Sequence, residues 1–179
     1  MNIKYSYRIS KYNPLNRNDN GTYAVNEWTS LSDVGRTYSG RKFTIEEYLC
    51  VEDKYVKAIK IFMYHLNITE LQVETLDKWN AELKSTRFHQ HYNSTMKSVY
   101  SKIQESDIIQ SPEIEQITRL ILREDIWCKF KYSSDFYVHF GYDYYMYLGG
   151  TKDCSKAIEE ITHSGLFVEP YESPYWDEE

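Results

Sequence analysis

Alternating apolar and polar positions at the start of the chain predict a β-strand. Residues 3–9 read IKYSYRI, in which an apolar or aromatic residue occupies every second position. A period of two is typical of a strand with one buried face. Asn13 and Pro14 end this pattern, and turn-forming residues fill 13–21. We expect irregular chain and short strands, closed by turns, over residues 22–42.

A long helix is predicted over residues 44–66. Apolar residues recur there at steps of three and four, from Ile45 to Leu66, and therefore share one stripe of a helix. Thr44 and Glu47 have the spacing of a capping box, in which each side chain binds a free backbone N–H at the helix start. Asn67 is expected to end the helix.

Short-period alternation predicts further strands in the rest of the chain. These strands cover 69–75, 126–131, 136–140, 144–148 and 166–168. Turns are expected at 133–135 and at Gly141, and Gly149 with Gly150 is expected to end the meander.

Two more helices, a helical insertion and a frayed tail complete the prediction. One helix begins near Pro112, because proline suits the first helical position, and another covers 153–163 with Asp153 as its N-cap. Residues 77–109 are polar, hold neither Gly nor Pro, and are predicted to form a helical insertion. The segment 170–179 is predicted to be a frayed tail.

This order of elements predicts a single α+β domain over residues 1–179, with an antiparallel sheet flanked by helices on one face. A length of 179 residues fits one domain. The composition is unusual in its 18 tyrosines, beside 7 phenylalanines and 4 tryptophans. Disordered chains lack such residues, so this chain is expected to fold. Tyrosine also suits strands and is enriched at protein interfaces.

Charge is distributed unevenly along the chain, whose net charge is −6. Residues 1–42 hold seven basic and three acidic residues, so the other residues together carry −10. Residues 151–179 hold eight acidic residues and two lysines. An acidic surface repels nucleic acid and anionic lipid and attracts basic proteins.

The cysteines and the N-terminus point to an intracellular protein. The three cysteines are widely spaced and form no CxxC pair, so neither a disulfide scaffold nor a zinc ribbon is expected. The N-terminus lacks the apolar core of a signal peptide. The apolar runs are shorter than the about 18 residues of a membrane-spanning helix. We therefore expect a cytoplasmic protein without a membrane partner.

The motifs that usually carry chemistry are incomplete in this sequence. His89 and His91 would share one face of a strand, but no third metal ligand follows at a suitable spacing. A position near a helix start could lower the thiol pKa of Cys154, but the residue is better explained as a small apolar residue in the first turn. The run from Gly149 to Lys152 lacks the full phosphate-loop spacing. No catalytic residue, cofactor or metal site is predicted.

Two segments stand out as local signatures. Residues 7–35 contain YRISKYNP and NEWTSLSDVG, which place Trp28 and several polar groups in a predicted loop. Residues 139–150 read HFGYDYYMYLGG, in which Tyr145 and Tyr147 alternate with Met146 and Tyr142 precedes them, and these three tyrosines are expected to form a solvent-facing row. These segments resemble stretches of small acidic bacterial proteins of the toxin-immunity type, over about residues 5–60 and 126–175. The resemblance implies a fold and an association with secreted toxins, and it assigns no residue a role.

Our main hypothesis is an immunity protein, or antitoxin, that neutralises a cognate bacterial toxin domain by tight binding. A basic toxin domain would be steered to this acidic chain by charge, and aromatic residues within a charged rim are the usual anchors of tight interfaces. The predicted partner-binding residues are Tyr142, Asp143, Tyr145, Tyr147, Glu159, Glu160, Glu169, Tyr171, Glu172, Tyr175 and Trp176. The oligomeric state is left open.

Two other functions remain open at this point. An enzyme of unrecognised type would draw its acid–base groups from Glu27, Asp33, His139 and Asp143. A nucleic-acid-binding module would use the cations of the N-terminal third, which are interleaved with aromatic rings. Those cations are Arg8, Lys11, Arg17, Arg36, Arg41 and Lys42, and the rings are Tyr5, Tyr7, Tyr12, Tyr23 and Trp28. The acidic balance disfavours this function, because cations dominate phosphate binding.

Overall fold

The computed structural model describes residues 3–80, 83 and 88–176. The strands within these ranges are β1 (Tyr5–Ser10), β2 (Thr37–Tyr38), β3 (Arg41–Lys42), β4 (Glu70–Lys78), β5 (Ile108–Gln110), β6 (Ile126–Tyr132), β7 (Phe136–Phe140), β8 (Met146–Gly150) and β9 (Phe167–Pro170). The α-helices are α1 (Ile45–Leu66), α2 (Ser94–Lys102), α3 (Ser111–Leu122) and α4 (Ser155–His163).

Seven strands form one antiparallel sheet in the order β5-β4-β6-β7-β8-β1-β9, and β2 pairs with β3 in a separate hairpin. The predicted α+β class with an antiparallel sheet is therefore confirmed. β1 lies between β8 and β9, so the first and last strands are neighbours at one side of the sheet.

One face of the sheet packs against the helices. Phe62 of α1 lies with its ring centroid 6.1 Å from Tyr7 of β1 and 6.3 Å from Phe136 of β7. Helices α3 and α4 both contact α1, and α2 packs on α3. Alternation along β7 and β8 then turns Tyr137, His139 and Tyr147 to the opposite face.

The predicted ends of α1 are confirmed. The Thr44 hydroxyl accepts a hydrogen bond from the Glu47 backbone N–H, and the Glu47 carboxylate accepts one from the Thr44 N–H. Asn67 adopts a left-handed conformation with φ 56° and ends the helix. Both caps satisfy backbone groups that a helix end leaves without partners.

A buried ion cluster, formed by Glu52, Arg119 and Arg123, joins α1 to α3. Arg123 donates to the Glu52 carboxylate from Nε at 2.6 Å and from Nη2 at 2.8 Å, and Arg119 donates to it at 2.8 Å. Arg123 also donates to the His91 carbonyl at 2.9 Å and stacks over the ring of Tyr92. The cluster thereby ties the chain before α2 to the two central helices.

The C-terminal segment 171–176 lies on the face of the sheet that the helices leave uncovered. The Tyr171 N–H donates to the Ser6 carbonyl at 3.0 Å, and Ser173 is buried with its hydroxyl 2.8 Å from His139 Nδ1. Trp176 packs against Tyr137, with ring centroids 4.5 Å apart. Residues 170–176 are therefore not a frayed tail, because their rings and N–H groups find partners on the sheet; residues 177–179 lie outside the described residues.

Three further expectations need correction. The segment 77–109 holds the helix α2, but it also contains the end of β4 and the edge strand β5, and residues 81–82 and 84–87 lie outside the described residues. Gly149 and Gly150 end the meander, but as the last two paired residues of β8 and not as a turn. A Cβ at Gly149 would clash with the Tyr5 carbonyl oxygen of β1 and come within 2.7 Å of the Tyr137 ring of β7, so both neighbouring strands require glycine there. Cys154, and not Asp153, occupies the N-cap of α4.

Candidate functional site

The two signature segments, 7–35 and 139–150, meet at one end of the sheet. The ring of Tyr12, which follows β1, lies 5.4 Å from that of Tyr145, which precedes β8. Trp28 contacts the ring of Tyr144 at 5.1 Å in an edge-on arrangement. Because β1 and β8 are antiparallel neighbours, the end of one strand lies beside the start of the other. The sheet topology thus brings together segments that are more than a hundred residues apart in sequence.

A tight turn between β7 and β8 sets the direction of three side chains at this end. Asp143 and Tyr144 have φ of 54° and 63°, as in the type I′ turns that connect antiparallel strands. Bulky residues rarely adopt this conformation, but the buried Tyr144 hydroxyl donates to the Leu122 carbonyl at 2.8 Å and holds the turn. Tyr142 and Asp143 consequently point into solvent, and the exposed fraction of Tyr142 is 84%.

Lys11 fixes the loop after β1 by a buried contact with aromatic rings. Its ammonium lies 4.0 Å from the ring centroid of Tyr12 and 4.2 Å from that of Trp28. The same group donates to the Glu27 carboxylate at 2.6 Å. Burial lowers the pKa of Lys11, although the contact with Glu27 favours its charged form. The residue is a cation held between rings and a carboxylate.

Beside Lys11, a cavity of about 420 Å³ opens to solvent. We call it the Tyr12 pocket; its aromatic walls are Tyr12, Tyr23 and Tyr145, and its carboxylates are those of Glu27 and Asp143. Tyr12 is buried, and its hydroxyl has no hydrogen-bond partner among the described residues. Burial and the charges of Asp143 and Glu27 raise the pKa of Tyr12. The pocket therefore combines ring surfaces with negative charge.

A continuous band of rings leads from this pocket across the outer face of the sheet. We call it the aromatic belt and define it as Arg8, Tyr12, Tyr23, Tyr142, Tyr145, Tyr147, Tyr171 and Tyr175. The Arg8 guanidinium lies 5.1 Å from the ring centroid of Tyr145 and 4.2 Å from that of Tyr171. Tyr147 lies 5.9 Å from Tyr171 and 5.7 Å from Tyr175. Strand register explains these contacts, because Arg8 of β1 stands opposite Tyr147 of β8.

Glu169 anchors the edge of the belt. It stands opposite Arg8 in the register of β1 and β9 and pairs with Arg8 at 3.2 Å and Arg17 at 2.6 Å. Burial alone would raise the pKa of this carboxyl, but the two guanidinium groups outweigh burial and lower it. Glu169 is thus a structural ion pair and not a free acid for a partner.

The structure gathers only part of the predicted partner-binding set. Tyr142, Asp143, Tyr145, Tyr171 and Tyr175 lie in the belt or beside it. Tyr147 is buried beneath Tyr171 and Tyr175, so the expected row of solvent-facing tyrosines is wrong at this position. Glu172 is exposed on the segment that contains Tyr171 and Tyr175.

The other predicted contacts lie elsewhere. Glu159 and Glu160 are exposed on α4, on the helix side of the sheet, where Glu160 contacts His65 at 2.8 Å. Trp176 lies over Tyr137 and His139, so much of its ring is used within the chain. The acidic residues described between 153 and 172 therefore do not form one surface.

The belt contains residues whose importance the sequence did not indicate. Arg8, Tyr12 and Tyr23 appeared only as candidate nucleic-acid contacts. The alternation in 3–9 does place Arg8 opposite to the buried Ile9, which was the available signal. The contact of Arg8 with Tyr171 depends on the pairing of β1 with β9, which the sequence pattern does not specify.

The groups considered for the two other functions are arranged differently. Glu27 and Asp143 line the Tyr12 pocket, whereas His139 lies on the outer face between Tyr137 and Trp176. Asp33 is buried and accepts hydrogen bonds from the Thr29 and Ser30 N–H groups. The four groups proposed for an enzyme therefore do not form one cluster.

Most of the N-terminal cations are already paired with carboxylates. Arg8 and Arg17 pair with Glu169, and Lys11 pairs with Glu27. Arg36 pairs with Asp33, and Arg41 pairs with Glu47. A phosphate backbone would have to displace these carboxylates, so the arrangement disfavours the nucleic-acid function.

Comparisons of this chain with protein-family models, with curated proteins and with solved structures find no match.

His89 and His91 lie in a short 3-10 helix and not on a strand. Within the described ranges, no three His, Cys, Asp or Glu residues are grouped to hold a metal ion. No helix of the described part has the length and apolar character needed to cross a membrane.

Proposed function

We propose that this chain is an immunity-type binding protein that neutralises a basic toxin domain by engaging it with the aromatic belt. The observation that carries the proposal is the belt itself. Tyr142 is 84% exposed and Tyr171 is 45% exposed, beside the guanidinium of Arg8. Tyrosine, tryptophan and arginine dominate the residues that contribute most to protein–protein affinity.

The charge around the belt supports a basic partner. Glu27, Asp143 and Glu172 lie along it, and the chain as a whole carries −6. Charge complementarity raises association rates and favours partners of opposite sign. The belt also rests on paired strands and a packed C-terminal segment, so little ordering is needed on binding.

An affinity capture with a function test decides the proposal. The tagged full chain is used to isolate its partner from the native host at moderate salt, and the captured protein is then expressed with and without this chain. We expect a stoichiometric basic protein that arrests growth alone and is harmless when co-expressed. A bound protein without toxicity, or no bound protein, would overturn the proposal.

A matched pair of tyrosine variants locates the interface. Tyr142→Ala removes an exposed ring of the belt, and Tyr64→Ala removes a similarly exposed ring, 78% accessible, from α1. We expect Tyr142→Ala to weaken partner binding by about tenfold or more, as for a central aromatic contact, and Tyr64→Ala to change it by less than about twofold. Equal affinities of the two variants in calorimetry would exclude the belt as the interface.

A further inference from the structure

The Tyr12 pocket has the composition of a site for an organic cation. Tyr12, Tyr23 and Tyr145 supply aromatic walls, and Glu27 and Asp143 supply carboxylates. Ring faces attract cations through their quadrupoles, and carboxylates add direct charge pairing. A neutral or anionic ligand would gain neither contribution.

Further carboxylates make the surroundings of the pocket negative. Glu124 lies close enough to Asp143 and Asp33 for their charges, in addition to burial, to raise its pKa. The cations beside its walls are already paired with carboxylates. Lys11 pairs with Glu27, and Arg8 and Arg17, which contact Tyr145, pair with Glu169. Asp143 is exposed at the mouth of the pocket and accessible to a partner.

The chain already uses this chemistry twice within its own fold. Lys11 lies against the rings of Tyr12 and Trp28 and pairs with Glu27. Arg8 lies between the rings of Tyr145 and Tyr171 and pairs with Glu169. In both cases a cation contacts two rings and one carboxylate. The Tyr12 pocket offers ring faces and the carboxylate of Asp143, together with Glu27, which it shares with Lys11, and its lining contains no cation of this chain.

A polar group without a partner also belongs to this pocket. The Tyr12 hydroxyl is buried and lacks a hydrogen-bond partner among the described residues. Buried polar groups are rarely left unsatisfied, because each one costs free energy relative to its hydrated state. The Tyr12 hydroxyl oxygen has almost no accessible surface, so a ligand in the pocket would contact the ring of Tyr12 and not its hydroxyl.

We propose that the Tyr12 pocket receives an arginine side chain of the basic partner protein. This inference rests on the proposed function, since it assigns a part of the same interface. Arginine fits better than lysine because its planar guanidinium stacks on tyrosine rings while its N–H groups pair with carboxylates in two directions. Its occupancy would place the partner beside the exposed Tyr142.

The first test uses a small probe and needs no partner. N-acetyl-L-arginine amide is titrated into the isotopically labelled full chain, and the neutral isostere N-acetyl-L-citrulline amide is the control. We expect the arginine compound to shift backbone resonances of residues 23–29 and 142–145 at millimolar concentration. The citrulline compound should leave them in place, because it lacks the charge.

A matched pair of variants identifies the carboxylate involved. Asp143→Asn removes the charge at the pocket mouth and suits the positive φ, which asparagine tolerates. Asp135→Asn removes an equally exposed charge in the β6–β7 turn, at the other end of the sheet. We expect Asp143→Asn to lower the affinity for the arginine probe by about fivefold. Asp135→Asn should leave that affinity unchanged. Equal shifts with both compounds, or an unchanged affinity of Asp143→Asn, would overturn the pocket assignment.

The partner from the capture experiment completes the test. Each of its exposed arginines is changed to glutamine and paired with Asp143→Asn in double-mutant cycles. Coupling of one arginine to Asp143 supports the inference, and the absence of any coupling overturns it even when the immunity function holds. If the probe binds the pocket but no toxin is captured, the cation site stands and the proposed function fails.

Discussion

Two regions of this chain hold charged groups against aromatic rings, and they differ in how completely their polar groups are satisfied. In the buried ion cluster, Glu52 is fully buried and accepts hydrogen bonds from Arg119 and Arg123. In the Tyr12 pocket, Asp143 faces solvent and the Tyr12 hydroxyl lacks a partner among the described residues.

The difference indicates a different use of similar residues. A closed network, in which each guanidinium nitrogen of Arg123 has an acceptor, stabilises one arrangement of the helices. An open arrangement of rings and carboxylates gains contacts only when another molecule arrives. Saturation of hydrogen bonding, rather than the presence of charges, therefore separates the structural cluster from the candidate binding site.

The largest effect on the unfolding free energy is expected in the buried ion cluster. Glu52→Gln removes the charge that faces two guanidinium groups, of which Arg123 is only 3% exposed. An unpaired buried charge costs about 3–5 kcal/mol of unfolding free energy. Glu115→Gln, which removes a partly exposed partner of the same Arg119, should cost less than about 1 kcal/mol. Urea unfolding measures both, and similar losses would show that the cluster is not the closed network described above.

An intermediate effect concerns Glu169, which links the belt to the edge of the sheet. Its pKa is lowered in the folded chain, so its ion pairs stabilise the fold above the ordinary glutamate pKa, and this contribution is lost as the pH falls through the lowered value. Glu169→Gln should lower the unfolding free energy by about 1–3 kcal/mol at neutral pH. It should also reduce the loss of stability that accompanies a fall in pH.

Glu172→Gln, on the exposed tail segment, is the matched control for Glu169. It should leave the unfolding free energy unchanged within about 0.5 kcal/mol, as for most surface substitutions. Thermal unfolding followed from pH 7 to pH 3 compares the two variants with the parent chain. If the stability of Glu169→Gln and that of the parent chain fall equally between pH 7 and pH 3, Glu169 is not the cause of the pH dependence.

The smallest effect on the unfolding free energy is expected at the Tyr12 pocket. Asp143→Asn should change the unfolding free energy by less than about 0.5 kcal/mol, because its side chain faces solvent. It should nevertheless lower the pKa of Glu124, since the Asp143 charge is one of the causes that raise it. Carbon-13 NMR of the glutamate carboxyls follows this titration, with Asp135→Asn as control. An unchanged Glu124 titration would place Asp143 too far away to make the pocket negative.

Sequence patterns predicted helices and strands well where the interactions that define them join residues close in sequence. Thr44, Glu47 and Asn67 marked both ends of α1 because caps are made by residues within four positions of each other. Alternation identified β1, β6 and β7 for the same reason. The sequence did not show why Gly149 must be glycine, because the atoms that exclude a Cβ there, the Tyr5 carbonyl and the Tyr137 ring, belong to the two neighbouring strands.

The candidate site was predictable only in part. Tyr142, Asp143 and Tyr145 were identified from one tyrosine-rich segment, and the structure places them at the surface or the pocket. Arg8, Tyr12 and Tyr23 were not assigned to that surface, because their contacts depend on which strands are neighbours. The acids of α4 were included on charge alone, and charge along a sequence does not tell on which side of a sheet a helix packs.

The sequence by itself determined most of the elements, both ends of α1, the α+β class and the acidic, tyrosine-rich character of the chain. These properties follow from interactions between residues close in sequence and from composition. Only the tertiary structure decided that β1 lies between β8 and β9, and this order brings Arg8 into contact with Tyr145, Tyr171 and Glu169. Strand order is fixed by the packing of the whole sheet against the helices, so no local pattern encodes the belt or the pocket.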